Sequence, residues 1–196
     1  MAYKQPKFLC SMDIETLHTG PRSIVTQVGM VFVPADDPET ILKEVLVFLP
    51  IDPQIAIKRT FGGKTLFFHM MQDEPTRRLM EESLGDDYEE LPALLRHLSR
   101  QWSIVVGEDQ TDCELWVRGS DFDVTNVGSL MDDCLVERPW RYDMVRDLRT
   151  LMAAAGIKKS DVFRDLNIFP EHQAIPDAKY QLLCYSEAMK HLRARS

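Results

Sequence analysis

The first fifty residues constrain the fold more than any other part of the chain, because they contain three apolar runs separated by short turns. Residues 24–33 (IVTQVGMVFV) are rich in β-branched side chains, which favour a strand. Residues 7–12 and 41–49 are also strand-like, and the intervening turns contain Gly20-Pro21 and Asp37-Pro38. Three strands joined in this way predict an antiparallel meander at the start of a sheet.

Helical patterns dominate the rest of the 196 residues. We predict helices over residues 65–71, 74–83, 88–102, 123–130, 147–155 and 177–193, with one more strand at 115–118. Asp86 and Asp87 are expected to cap the third of these helices. This order of elements predicts an α/β fold in which helices flank a mixed central sheet. The length suits one domain over residues 1–196, with residues 50–85 as a candidate helical insertion.

Net charge and cysteine usage exclude several classes of protein. The formal net charge of −8 argues against binding of nucleic acid through bulk positive potential, although an enzyme can still meet phosphates through bound cations. The four cysteines form no CxxC pair, and Cys10 and Cys184 have the apolar neighbours typical of buried thiols. The N-terminus does not resemble a signal peptide, and no apolar run approaches the ~18 residues of a membrane span. We expect a soluble protein of a reducing compartment with no membrane partner.

Asp13 and Glu15 end the first apolar strand and form the first candidate site. Residues i and i+2 of a strand share a face, so both carboxylates point the same way. Two neighbouring carboxylates repel each other unless a cation lies between them, which indicates a divalent-metal site. The alternative for this pair alone is two solvated residues at the exit of a strand.

Three more polar residues stand where regular elements begin or end. Asp123 follows a polar turn and opens a helix, and Asp177 precedes the last helix, so each alone could be a helix N-cap. Pro176 is expected to keep the residues before it out of the helix, which places His172 on a loop. Taken together, four carboxylates and one histidine fit two-metal phosphoryl chemistry, in which hard cations bind oxygen ligands and a histidine accepts a proton.

These residues lie in segments that resemble the DEDDh branch of the DnaQ-like 3′–5′ exonucleases. The resemblance extends over about residues 7 to 192. Within that superfamily, the sequence is similar to the RNase T-like and phage exodeoxyribonuclease A group. It rests on five segments of this sequence: 12–17 (MDIETL), 65–77 (TLFFHMMQDEPTR), 116–123 (WVRGSDFD), 139–150 (PWRYDMVRDLRT) and 172–177 (HQAIPD). It implies an RNase H-like fold and a 3′–5′ exonuclease of a bacterial cytoplasm or a phage-infected host.

The resemblance also assigns roles to the five polar positions. It implies two divalent cations, Mg²⁺ or Mn²⁺, with Asp13 bridging both. Glu15 and Asp177 would hold the cation that activates water, and Asp123 would serve the second cation. His172 would be the general base.

The implied partner is a single strand of DNA or RNA with a free 3′ end, which is hydrolysed to 5′-mononucleotides. Thr16 and Leu17 would meet the terminal nucleotide, the first through its main chain and the second as an apolar wedge. Phe68 and His69 would lie on the helix near the substrate, although the group often has Trp at position 69. Asp121 would add one more negative charge near the site.

The choice of substrate stays open at the level of sequence. The phage-type segments favour DNA, and the RNase T-like kinship keeps RNA as the alternative. A hypothesis of another class is an inactive exonuclease fold that only binds nucleic acid, which all five intact positions argue against. Relatives of this group can be dimers, so a homodimer is an alternative to a monomer.

Overall fold

A five-stranded mixed sheet forms the centre of the computed structural model, which describes residues 4–84, 90–165 and 167–195. The strands lie in the order β3-β2-β1-β4-β5. The neighbours β1, β2 and β3 are antiparallel, whereas β4 and β5 run parallel to β1. The strand bounds are β1 Phe8–Thr16, β2 Val25–Pro34, β3 Lys43–Phe48, β4 Cys113–Val117 and β5 Val145–Asp147.

Seven helices accompany these strands in the described ranges: α1 Ile51–Ala56, α2 Gly63–Met70, α3 Glu74–Glu81, α4 Glu90–Val106, α5 Asp123–Asp133, α6 Leu148–Ala155 and α7 Ala174–Arg193. Helices α4 and α5 cover one face of the sheet and bury Trp102 and Leu130 there. Helices α6 and α7 cover the other face around Trp116 and Leu148. The predicted α/β fold with helices flanking a mixed sheet is confirmed.

The predicted meander is confirmed, and β1 is longer than expected. It continues through Thr16, so both acidic residues lie inside the strand rather than after it. The prediction missed β5 and α1. Strand β5 has three residues, and only the last of them, Asp147, falls in the predicted helix 147–155. Asp147 is instead the N-cap of α6, where it accepts a hydrogen bond from the Thr150 N–H at 3.1 Å.

Helix α7 begins earlier than predicted, because Pro176 does not block it. The helix starts at Ala174, which puts Pro176 third in the first turn. Backbone N–H groups of the first turn have no intrahelical partner, so a proline costs nothing there. His172 remains outside the helix as expected, and Asp177 lies at the end of its first turn.

The region proposed as an insertion contains α1, α2 and α3. Gln54 of α1 is fully buried and ties this region to β2, accepting from the Val25 N–H at 2.9 Å and donating to the Val25 carbonyl at 2.7 Å. The expected cap at Asp86 and Asp87 lies outside the described residues. Cys10 and Cys184 are buried free thiols, as predicted. None of the helices within the described ranges combines the length and apolarity needed to cross a membrane.

Candidate active site

Three of the predicted carboxylates meet where β1 packs against the start of α7. Asp13 and Glu15 point from β1 toward α7, and Asp177 points back from its first turn. One carboxylate oxygen from each of the three residues lies within 4.8 Å of the other two. This is the spacing at which three oxygens can share one divalent cation.

Gly29 allows this approach. It pairs with Asp13 across β1 and β2, on the face that α7 covers. A Cβ atom at position 29 would lie 2.6 Å from the carbonyl carbon of Ala174, which is closer than any side chain tolerates. The absence of a side chain therefore lets the first turn of α7 rest directly on the sheet beside the acidic pair.

Burial and mutual repulsion make the acidic cluster unfavourable without a cation. Desolvation raises the pKa of Asp13 well above its usual range, and the negative charges of Asp123, Asp177 and Glu15 raise it further. Desolvation and the negative charges of Asp177 and Asp123 raise the pKa of Glu15 to about 8. A divalent cation between these oxygens would remove the repulsion, so the cluster has the properties of a metal site.

Gln181 holds Asp13 in place, and sequence reasoning missed it. Its Nε2 donates to Asp13 Oδ1 at 2.7 Å, and its Oε1 accepts from the Ser11 hydroxyl at 3.3 Å. Gln181 is 4% exposed and Ser11 is fully buried. The available signal was the spacing, since Gln181 follows Asp177 by four residues and so shares its helix face.

Asp123 lies near the cluster but outside the group of three. It is the first residue of α5, and Phe122 occupies the cap position without a side-chain cap, so the N-cap alternative for Asp123 is wrong. Burial raises the pKa of Asp123 to about 7, against the attraction of Arg149 and with a further rise from Asp121. Asp121 thus adds negative potential at the site, as the sequence predicted.

His172 reaches the same cleft from the loop before α7. Its backbone is left-handed, with φ +61°, a conformation that non-glycine residues adopt only when tertiary contacts hold it. Its ring packs edge-to-face against Phe68 of α2, with the ring centres 4.8 Å apart. The predicted base and one predicted substrate residue are therefore in direct contact.

His69 contributes to the lining of the cleft and also supports the backbone of β1. Its ring is 5% exposed, and Nε2 lies 2.9 Å from the Thr16 carbonyl oxygen. Because a carbonyl only accepts, Nε2 must carry the proton. Thr16, which was predicted to meet the substrate through its main chain, lines the cleft and is fixed in place by this bond.

Leu17 does not line the cleft. Its side chain is 3% exposed, its N–H donates to the Ile24 carbonyl at 2.9 Å, and its carbonyl accepts from the Gly62 N–H at 2.7 Å. The wedge role inferred from the resemblance stays a prediction.

The cleft around these residues has a volume of about 550 Å³. Three cationic side chains that the sequence analysis did not single out contribute to its lining, namely Lys64 of α2, Arg118 after β4 and Lys159 before α7. They come from three separate parts of the chain, and only Arg118 lies within one of the segments that carry the resemblance. In a protein of net charge −8, they bring positive charge to the mouth of an acidic site.

Comparison with models of known protein families identifies the family of this chain. Residues 9–189 match the family described as the 3′–5′ exoribonuclease Rv2179c-like domain. The chain belongs to this family. This family is described by 3′–5′ exonuclease activity, which is the activity that the motifs of the sequence predict. A search of curated protein sequences found no match.

Solved structures of exonucleases share the fold of this family member. The zinc-bound complex of E. coli ExoI with single-stranded DNA has a TM-score of 0.66 at 11% identity, over 97% of this chain and 42% of that one. The nuclease domain of 3′hExo, a DEDDh family member bound to rAMP, has a TM-score of 0.60 at 11% identity, over 96% and 94%. The chain thus spans less than half of ExoI but nearly all of the 3′hExo nuclease domain.

Proposed function

We propose that this protein uses two divalent cations to hydrolyse single-stranded RNA from its 3′ end and releases 5′-mononucleotides. The observation that carries the proposal is the cluster of Asp13, Glu15 and Asp177 inside a cleft with cationic lining residues. RNA is chosen as substrate because the matched family is described by exoribonuclease activity. Single-stranded DNA, favoured by the phage-type segments of the sequence, is the second candidate.

The donor set fits hard divalent cations such as Mg²⁺ or Mn²⁺. It consists of carboxylate oxygens alone. Among the described contacts of Asp13 and Glu15, no lysine or arginine offsets the repulsion between the carboxylates. Asp13, Glu15 and Asp177 would hold one cation, and Asp13 and Asp123 would hold the second. When bound, the cations supply an activated water and stabilise charge on the phosphate.

His172 is positioned to take the proton from the attacking water. It lies on the cleft wall with Asp177, and its ring is oriented by Phe68. A neutral imidazole accepts the proton, so the step requires His172 in its uncharged form. The partly exposed ring of Phe68 also offers an apolar surface to the terminal base.

The cationic side chains of the cleft explain how an acidic protein meets a polyanion. Lys64 is exposed on α2, and Arg118 and Lys159 are half-buried on other parts of the cleft wall. Each can pair with a phosphate of the strand while the cations neutralise the acidic centre. We expect binding to weaken with salt, but with the shallow slope of a few phosphate contacts.

The test is parallel digestion of 3′- and 5′-labelled single-stranded RNA and DNA, each with Mg²⁺, with Mn²⁺ and with EDTA. The proposal predicts stepwise shortening of the 5′-labelled strand, immediate release of the 3′ label, and no reaction in EDTA. Asp13→Asn should abolish the reaction, whereas Asp36→Asn at an exposed turn should not. Faster digestion of DNA than RNA would favour the second candidate. Binding without hydrolysis in every condition would instead favour the inactive binding module.

A further inference from the structure

Arg164 connects the loop that carries His172 to the helix that carries Asp177. Its side chain is only 8% exposed. The guanidinium donates from Nε to the Phe169 carbonyl at 2.7 Å and from Nη2 to the Pro170 carbonyl at 2.6 Å. Its Nη1 donates to Asp177 Oδ1 at 2.8 Å. One buried side chain thus joins the loop backbone and an acidic residue of the cleft.

The guanidinium is also held from the helix side. It lies over the ring of Tyr180, 4.7 Å from the ring centre, in the next turn of α7 after Asp177. Tyr180 is 4% exposed, and its hydroxyl lies 2.8 Å from the Val162 carbonyl and 3.0 Å from the Lys159 carbonyl. Both ends of the loop before α7 are therefore attached to the first turns of α7 through Arg164 and Tyr180.

This arrangement fixes the position of the His172 loop and the orientation of the Asp177 carboxylate, both of which the proposed reaction needs. The bonds to Phe169 and Pro170 close the loop just before His172, whose left-handed backbone needs external contacts to persist. The bond to Oδ1, with the Gln173 N–H 3.3 Å from Oδ2, sets the rotation of the Asp177 carboxylate. A lysine could supply the charge at this position, but its compact ammonium lacks the planar, widely spaced donors with which the guanidinium reaches these three acceptors.

We infer that Arg164 is a positioning residue that holds His172 and Asp177 in a fixed relation to each other. The inference rests on the proposed function for its effect on rate. It does not make Arg164 a substrate-binding group, because its donors face the loop and α7 and its side chain is buried. The structural unit is then Arg164, His172 and Asp177, of which the sequence motif contains only the last two.

The test compares Arg164→Lys and Arg164→Met with Arg141→Lys, a matched control in which an exposed arginine pairs with Asp143. The first measurement is the proton NMR signal of the His172 ring in metal-free protein, assigned by its loss in His172→Gln. Contact with Phe68 displaces this signal from the position of free histidine. We expect both Arg164 variants to move it toward the free position, and the control to leave it unchanged.

The second measurement is the steady-state kinetics of the metal-loaded variants. Arg164→Lys should lower kcat by about 10- to 100-fold, the usual effect of removing a group that orients a ligand, while KM changes by less than about twofold. Circular dichroism and a cooperative melt establish that each variant is folded. Since Arg164→Lys keeps the charge, it decides the test if Arg164→Met does not fold.

An unchanged His172 signal in the Arg164 variants overturns the inference, and so does a kcat equal to that of the Arg141→Lys control. A rise in KM without a fall in kcat also overturns it, since that is the result expected of a substrate-binding arginine. If wild-type protein degrades neither RNA nor DNA, the proposed function fails. The NMR measurement still decides whether Arg164 positions His172, so the two failures are distinguishable.

Discussion

Glu15→Gln should stabilise the metal-free protein at alkaline pH, although it removes an acidic residue of the proposed metal site. In the folded protein the pKa of Glu15 is raised from 4.5 to about 8, mainly by burial and then by the charges of Asp177 and Asp123. The unfolded chain releases the Glu15 proton above pH 4.5, whereas the folded chain keeps it until about pH 8. Stability is therefore lost as the pH rises through this window.

The size of the effect follows from the shift. One pKa unit corresponds to about 1.4 kcal/mol, so the full shift represents roughly 5 kcal/mol. Linkage gives a loss of about 1.4 kcal/mol by pH 5.5 and about 4.6 kcal/mol by pH 8.5, so the loss between these two pH values is roughly 3 kcal/mol. A glutamine has nearly the same shape and no charge, so the variant should avoid most of this loss. Asp13 retains its own raised pKa, and a smaller slope will remain.

The assay is urea unfolding in EDTA at pH 5.5 and pH 8.5, with Glu108→Gln, at an exposed position, as control. Wild type and control should lose free energy of unfolding between the two pH values, and Glu15→Gln should lose about 3 kcal/mol less than either. Adding Mg²⁺ at pH 8.5 should raise the stability of wild type more than that of the variant. Equal stability of metal-free wild type at both pH values, or equal slopes for all three proteins, would refute the electrostatic reasoning.

Three further changes test other parts of the site. Gly29→Ala should lower the melting temperature and reduce the hydrolysis rate by about 100-fold, because its Cβ displaces the start of α7. Gly63→Ala, at a position with open space for a Cβ, should change neither quantity. Equal effects of both variants would contradict this. Gln181→Leu removes the donor to Asp13 and should weaken Mn²⁺ binding in calorimetry by about 10- to 100-fold, so unchanged affinity would exclude the orienting role. His172→Gln should lower the hydrolysis rate at saturating Mg²⁺ by about 10²–10⁴, and a rate near wild type would assign the proton acceptor to another group.

Local rules predicted the acidic cluster well. The two-residue period of a strand places Asp13 and Glu15 on one face of β1. That face packs against α7, and Asp177 in the first turn of α7 therefore lies beside them. The same rules misjudged Pro176, since a proline is compatible with the first turn of a helix as well as with the residue before it. A single sequence does not distinguish these two positions.

The periodicity of the sequence does not predict contacts between elements that are far apart in the chain. Arg164 acquires its role only when the loop folds back on α7, and nothing in its neighbours in the sequence marks it. The sequence places His69 on a short helix near the substrate, but it does not predict that the ring is buried against the Thr16 carbonyl. Strand β5 has three residues and pairs with β4 over its whole length, so the sheet rather than its own sequence defines it. These features depend on which elements meet, which the local pattern does not specify.

The division of the acidic cluster between β1 and α7 affects when the protein becomes active. During synthesis Asp13 leaves the ribosome roughly 160 residues before Asp177, a delay of roughly 10 to 30 s at ordinary elongation rates. Throughout this interval the nascent chain contains only Asp13 and Glu15 of the three clustered carboxylates, so the proposed cation site has too few ligands to form. With the proposed cation site, hydrolysis begins only after α7 has been made and has docked on the sheet.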